Sequence, residues 1–259
     1  MIEIGCNYSP ELMNLLKAEK VSVDWIKISR YDTYQKECKI AYQYKPILLH
    51  IYPHAGMESF DNVDWELMNQ YILEYESPHV ALHLSSPPSD WNRPVWDYEV
   101  VERMIKNIKL WKEKLKVPLI IENVPYFGFK ETLRCATDPN VIEEVCEKAE
   151  VGLLLDIAHA RIAACYRQEN SKEYLNKLPL KHVEEIHVNA PGLDTKAGYF
   201  RDLHFEMEDA DYDLLSNVLD QCNPKIVTLE YGGTGPKVEW RSDIDAIERQ
   251  LTRLQKMLK

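Results

Sequence analysis

Residues 153–164 read LLLDIAHARIAA, and the fold turns on how this stretch is taken. Three leucines suggest a buried strand, yet the run ends in a carboxylate, Asp156, with His159 three residues later. Leucines cannot solvate a charge, and an unpaired buried ion costs on the order of several kcal/mol. Either Asp156 caps a helix and His159 is a stray histidine, or the two face a metal.

The same kind of run recurs along the chain. IEIGCN (2–7), VDWIKIS (23–29), PILLHIYP (46–53) and HVALHLS (79–85) are followed by PLIIENV (118–124), GLLLDIAH (152–159), VEEIHVNA (183–190) and IVTLEYGG (226–233), which makes eight. Helical patterns lie between them. Ser9-Pro10-Glu11 and Asp138-Pro139 each place a capping residue before a proline suited to a first helical turn. Val101, Met104, Ile105, Ile108 and Trp111 keep helical spacing, as do Ile244, Ile247, Leu251 and Leu254. Residues 30–44 carry the weakest helical pattern.

Strands alternating with helices predict a parallel sheet, because each crossover returns the chain to the same end. Near-continuous apolar strands predict a sheet covered by helices. Eight such units predict an α/β fold, a single (β/α)8 TIM barrel spanning 1–259. An open doubly wound sheet would carry a Gly-rich phosphate turn after its first strand. The first turn here, GCNYSPE, has no G-x-G-x-x-G.

Composition narrows the function classes. The chain has 259 residues, 45% of them hydrophobic and 28% charged, with a formal net charge of −11. Acidic balance counts against nucleic acid and against an anionic membrane surface as partners. The six cysteines, Cys6, Cys38, Cys135, Cys146, Cys165 and Cys222, form no C-x-x-C pair and read as reduced thiols in a cytoplasmic protein. The N-terminus has no signal-peptide pattern, and no apolar run approaches the roughly 18 residues a membrane helix needs.

In a barrel of this kind the site lies at the C-terminal ends of the strands. The third strand carries His50 and the fourth His83, and the fifth to eighth carry Glu122, Asp156, His187 and Glu230. Alternation puts Ala81 with His83, Ile120 with Glu122, Leu154 with Asp156 and Thr228 with Glu230, so inward faces would gather these groups on the barrel axis. His159 completes a D-x-x-H motif, and Asp202 with His204 forms D-x-H in RDLHFE, read as a loop after the seventh strand. One cation needs about four to six ligands, so these nine candidates suggest two or three metals, with Glu122 or Asp156 as bridge.

Any one histidine is more often structural than a ligand. His79 and His182 precede strands and belong to the bottom of the barrel, and Glu185, deeper than His187 on the same face, reads only as a paired or bottom-rim residue. The argument for metal rests on the set. Asn123 and Asn189 adjoin ligands and are candidates to orient them. Arg161, Arg201 and His54 are candidates to meet a substrate, against the plainer reading of ordinary loop residues.

The pattern resembles the xylose-isomerase-like barrel superfamily, whose metal enzymes share a Glu, Asp, His, Glu set on strands five to eight. IEN (Glu122), LLLD (Asp156), EIHV (His187) and TLEY (Glu230) match that set. The resemblance implies that these four hold a central, catalytic metal. Sugar isomerases and epimerases of the superfamily generally need only those four, with one manganese or similar ion. His50 and His83 resemble a pair that builds a second site with Glu122, and His159, Asp202 and His204 resemble a third. All nine together form the pattern of endonuclease IV, a three-zinc enzyme that cuts DNA at abasic sites.

Local wording is closer to the multinuclear non-heme iron-dependent oxidative enzymes of methanobactin and thiaglutamate biosynthesis. HLS at 83–85, EN at 122–123 and GLLLD at 152–156 carry that resemblance. It implies two or three metal ions, with iron favoured over zinc or manganese. It also implies oxidation, with dioxygen, of a cysteine-containing peptide or small thiol, and a separate protein that recruits the peptide. His159 is the residue endonuclease IV carries where many oxidative members have Asn. A three-metal phosphodiesterase, a single-metal isomerase and a non-catalytic metal-binding protein stay open as alternatives.

Overall fold

The strand that opens the sequence argument ends at Asp156, and a helix begins on the next residue. Asp156 is the helix N-cap: its Oδ1 accepts a hydrogen bond of 2.7 Å from the backbone N–H of His159. His159 therefore sits in the first turn of a helix, not at the end of a strand as the run 152–159 suggests. This unit recurs around a closed barrel in the computed structural model, which describes residues 1–29, 35–128, 132–233 and 239–259.

The barrel strands are β1 (Glu3–Asn7), β2 (Trp25–Ser29), β3 (Ile47–His54), β4 (Val80–His83), β5 (Leu119–Glu122), β6 (Gly152–Asp156), β7 (Val183–Val188) and β10 (Ile226–Leu229). All neighbours pair in parallel, and β1 pairs with both β2 and β10, closing the ring. Between β7 and β10 an antiparallel hairpin, β8 (Ala190–Asp194) and β9 (Tyr199–Phe205), adds a second small sheet. RDLHFE thus lies on a strand and the residues just after it, correcting the loop expectation. The third strand also extends one residue beyond its expected end, so His54 closes β3 rather than following it.

Nine helices are described: α1 (Pro10–Lys17), α2 (Gln35–Ala41), α3 (Trp65–Glu74), α4 (Asp97–Lys114), α5 (Pro139–Ala149), α6 (Ile157–Arg167), α7 (Ser171–Lys177), α8 (Asp209–Leu219) and α9 (Ile244–Met257). Ser9 caps α1 through a bond from Leu12 N–H, and Pro10 and Pro139 stand at the predicted first positions. The weak pattern at 30–44 does hold a helix, α2, which buries Cys38 and Ala41; residues 30–34 lie outside the described set. On α4, Val101, Met104, Ile108 and Trp111 are buried, and the Trp111 ring meets Phe60 and Trp65 edge-on. On α9, Ile247, Leu251 and Leu254 are buried, but Ile244 at the first turn is exposed. None of the described helices is long and apolar enough to cross a membrane.

Strand parity divides the apolar residues into two cores. Leu153 and Leu155 join the large core between barrel and helices. Leu154 instead packs with Ala81 and Ile120 inside the barrel, a small apolar layer beneath the polar mouth. A Cβ on Gly5 would collide with Thr228 Oγ1, so glycine there makes room for a hydroxyl that the site uses.

Candidate metal centre

The structure brings all nine candidate ligands to the C-terminal mouth. Alternation on β3, β5, β6 and β7 delivers His50, Glu122, Asp156 and His187, and Glu230 follows β10 directly. All five are buried, and among the nine candidates four sets of donor atoms lie close enough to share a cation: His50, His83 and Glu122; Glu122, Asp156 and His159; Asp156, His187 and Glu230; and Asp202, His204 and Glu230.

Glu122 is the hub. Its Oε2 lies 2.6 Å from His50 Nε2 and 3.3 Å from His83 Nε2, while its Oε1 lies 3.4 Å from His159 Nδ1 and 3.8 Å from His187 Nδ1. A carboxylate with one oxygen toward each of two imidazole sets has the geometry of a bridging ligand.

The imidazoles are oriented by acceptors outside the centre. A nitrogen that faces a backbone carbonyl, or a carboxylate outside the centre, donates its proton there, and the other nitrogen turns to the centre. His159 Nδ1 donates to the Asn123 carbonyl at 2.9 Å, which leaves Nε2 toward Asp202 Oδ2 at 3.5 Å. His204 Nδ1 donates to the Glu230 carbonyl at 2.8 Å, leaving Nε2 at 2.8 Å from the same Asp202 oxygen. His187 is reversed: Nε2 donates to Glu185 Oε1 at 3.1 Å, and Nδ1 faces Glu230 Oε1 at 3.3 Å. His159 thus groups with Asp202 and His204 through Nε2.

The hairpin reaches the centre by a bulge. Ala190 pairs with Phe205 and Gly192 with Arg201, so residues 202–204 stand opposite Pro191 alone. Proline offers no N–H to the ladder, and the extra residues are extruded toward the mouth. His204 takes a left-handed φ of +49°, a conformation non-glycine residues seldom adopt and one that clusters at functional positions.

Two groups were not assigned from sequence. Glu185 is buried beneath the centre, where it accepts from Thr228 Oγ1 at 2.6 Å, faces His79 Nε2 at 2.6 Å and holds His187. His79 thereby has the structural role expected of it. Lys27, on β2 between the core residues Ile26 and Ile28, is only 5% exposed and pairs with Glu230 Oε1. A lysine inside an apolar strand was the available signal for it.

Asn123 orients β6: its amide accepts from the Asp156 N–H and donates to the Asp156 carbonyl. Asn189 donates to Glu230 Oε2 at 3.5 Å. The three substrate candidates are engaged elsewhere. Arg161 pairs with Asp211 on α8, Arg201 with Asp194 in the hairpin, and His54 with Asp90 at 3.4 Å.

Electrostatics follow from this crowding. Burial and the Lys27 charge push His50 down to about 3 against the pull of Glu122, and burial also lowers His83. Burial opposes a charge on His159 too, but Asp156, Asp202 and Glu122 outweigh it and lift its pKa to about 10. Burial raises Asp156, while His83 and His50 hold Glu122, and His204 and His159 hold Asp202, well below the carboxylate range despite burial.

The donor set fits a divalent metal. Asp156 Oδ2, His187 Nδ1 and Asp202 Oδ1 are buried without a hydrogen-bond partner among the described residues, and the first two face other candidate ligands. Buried polar atoms left unpaired are costly unless something else engages them. Asp156 therefore serves both purposes that the sequence left open: Oδ1 caps α6 and Oδ2 is left for a cation.

Residues 3–252 match the family described as RiPP precursor modification enzyme MbnB/TglH/ChrH. This chain belongs to that family. A UPF0276 protein of Rhizobium meliloti is 31% identical over 168 residues, covering 62% of this chain and 50% of that protein. One of Bordetella pertussis is 25% identical over 178 residues, 66% of this chain and 61% of that protein. The chain's match thus spans about half to three fifths of these relatives. Among solved structures, the IOLI protein with a bound zinc atom superposes with a TM-score of 0.69 at 13% identity, covering 99% of this chain and 98% of that one. Endonuclease IV from Thermus thermophilus gives 0.57 at 15%, with 99% and 100% covered. At these identities the likeness is one of fold alone, the closed parallel barrel described above.

Proposed function

We propose that this chain is a multinuclear metal-dependent enzyme that uses two or three iron ions and dioxygen to oxidise a cysteine-containing peptide or a small thiol. The observation that carries the reading is Glu122, one carboxylate held between two imidazole sets in a chain of the MbnB/TglH/ChrH family. Glu122, Asp156, His187 and Glu230 would hold the central metal, His50 and His83 a second with Glu122 as bridge, and His159, Asp202 and His204 a third.

When bound, the metals supply Lewis acidity and, as iron, redox exchange with dioxygen. The chain's own residues supply position. Glu185 and the carbonyls of Asn123 and Glu230 accept from one nitrogen of each ring and so hold the other nitrogen turned toward the centre. Asn123 locks the end of β6, which keeps Asp156 Oδ2 aimed at the centre. The β8–β9 hairpin carries Asp202 and His204 to the mouth, where both side chains are half-buried.

Anaerobic purification with metal analysis and Mössbauer spectroscopy tests this directly. Two or three irons per chain, and oxygen uptake dependent on a cysteine-containing peptide, are expected. Two or three zincs, with iron-reconstituted protein inert to dioxygen, would sink the oxidative reading. His159 favours one second reading, a three-metal phosphodiesterase, and nicking of abasic-site DNA by the zinc-loaded chain would establish it.

The third position carries a pH dependence. At about 10, the His159 pKa leaves the ring protonated at neutral pH in the metal-free chain, so a metal must displace a proton. Affinity there is expected to rise with pH by up to about tenfold per unit between roughly 6.5 and 10. The metal-free fold shows the opposite trend. The folded pKa lies above the unfolded value, so the His159 contribution is full below about 6.5 and fades as pH rises toward 10. Metal titrations at several pH values should give a steep slope in wild type and a flatter one in His159→Asn; equal slopes would refute the assignment.

A further inference from the structure

Every candidate ligand comes from β3 to β7, the first turn of α6, the hairpin or the residue after β10. The remaining sector, β1 and β2, turns Asn7, Lys27 and Ser29 to the same interior, with Asn7 beside Lys27 and Ser29 beside His50 in register. Lys27 reaches past β1 to Glu230 Oε1. That oxygen lies 3.3 Å from His187 Nδ1, where a metal held by Asp156, His187 and Glu230 would have to sit. Two cations on one carboxylate oxygen repel, so a metal held at this position would compete with the ammonium for Glu230. Lys27 is then a buried cation in need of an anion, a costly state if unrelieved. Of its other carboxylate neighbours, Glu122 Oε2 faces His50 and His83, Glu185 faces His79, Thr228 and His187, and Asp156 and Asp202 belong to the candidate metal groups.

We infer that Lys27 is the anion receptor of the centre: once metal occupies Glu230, the ammonium binds a monoanionic group of the substrate, a thiolate or a carboxylate, which enters along the ligand-free β1–β2 flank. The inference rests on the metal reading above and adds the charge of the group the site accepts. It gives the flank without ligands a function, and it makes metal binding the event that frees the receptor.

Cobalt(II)-loaded wild type, Lys27→Met and Lys27→Gln are titrated with acetate, ethanethiol and imidazole, following the cobalt visible bands. Metal content is measured first. Wild-type metal content in at least one variant, binding of acetate or ethanethiol at least about tenfold weaker there, and imidazole affinity unchanged are expected, since imidazole binds metal without charge. Whether acetate or ethanethiol loses more identifies the substrate group as carboxylate or thiolate. Unchanged anion affinity in a fully loaded variant overturns the inference. So does equal weakening of all three probes, or loss of cobalt from both variants, which would make Lys27 a structural partner of Glu230. A wild-type chain that takes up no cobalt refutes the metal reading itself, and the inference with it.

Discussion

Replacing Glu122 by Gln is expected to remove at least one metal equivalent per chain and to lower turnover by more than about 100-fold, beyond what loss of an orienting contact does. The carboxylate is buried, its two oxygens face different imidazole sets, and the surrounding imidazoles keep it ionised. A glutamine has the same shape but one weak acceptor and no charge, so it cannot bridge two cations. The metal-free fold should tolerate the change, because the amide oxygen still accepts from His50 at 2.6 Å geometry. The measurement is metal content alongside thermal unfolding with and without added metal. Binding to the folded state alone stabilises it by about 2.7 kcal/mol at a hundred times Kd, and that increment should shrink in Glu122→Gln. Wild-type metal content and an undiminished increment would remove Glu122 from the bridge.

Glu185→Gln should weaken metal binding by about 10- to 100-fold although residue 185 touches no metal position. Glu185 accepts from His187 Nε2 and so keeps Nδ1, the inward nitrogen, free of its proton. An amide at this place can turn its NH2 toward the ring, favouring the tautomer with hydrogen on Nδ1, which blocks the ligand position. His187→Gln in the Glu185→Gln background separates the roles. If Glu185 acts through His187, the double variant binds metal no more weakly than His187→Gln alone. A fall in melting temperature with unchanged metal affinity would make Glu185 structural only.

Much of this was legible in the sequence because periodicity is local. Alternation along single strands fixes which residues share a face, so Glu122, Asp156, His187 and Glu230 could be aligned without knowing their neighbours. The eight-fold repeat of strand and helix then fixed the barrel, and the barrel fixed the end where the site lies. Asp202 and His204 were legible as a motif, though not their support: the hairpin depends on pairing 190–194 with 199–205, and its bulge on Pro191.

What tertiary structure alone decided lies across the barrel interior. Lys27 on β2 meets Glu230 after β10, and His79 before β4 meets Glu185 on β7, because closure sets who faces whom across the axis. No strand's own pattern contains that information. The same holds for the two oxygens of Asp156, where the sequence posed a cap against a metal ligand. The helix start takes Oδ1, closure of the barrel turns Oδ2 to the other imidazoles and carboxylates, and one residue answers to both constraints.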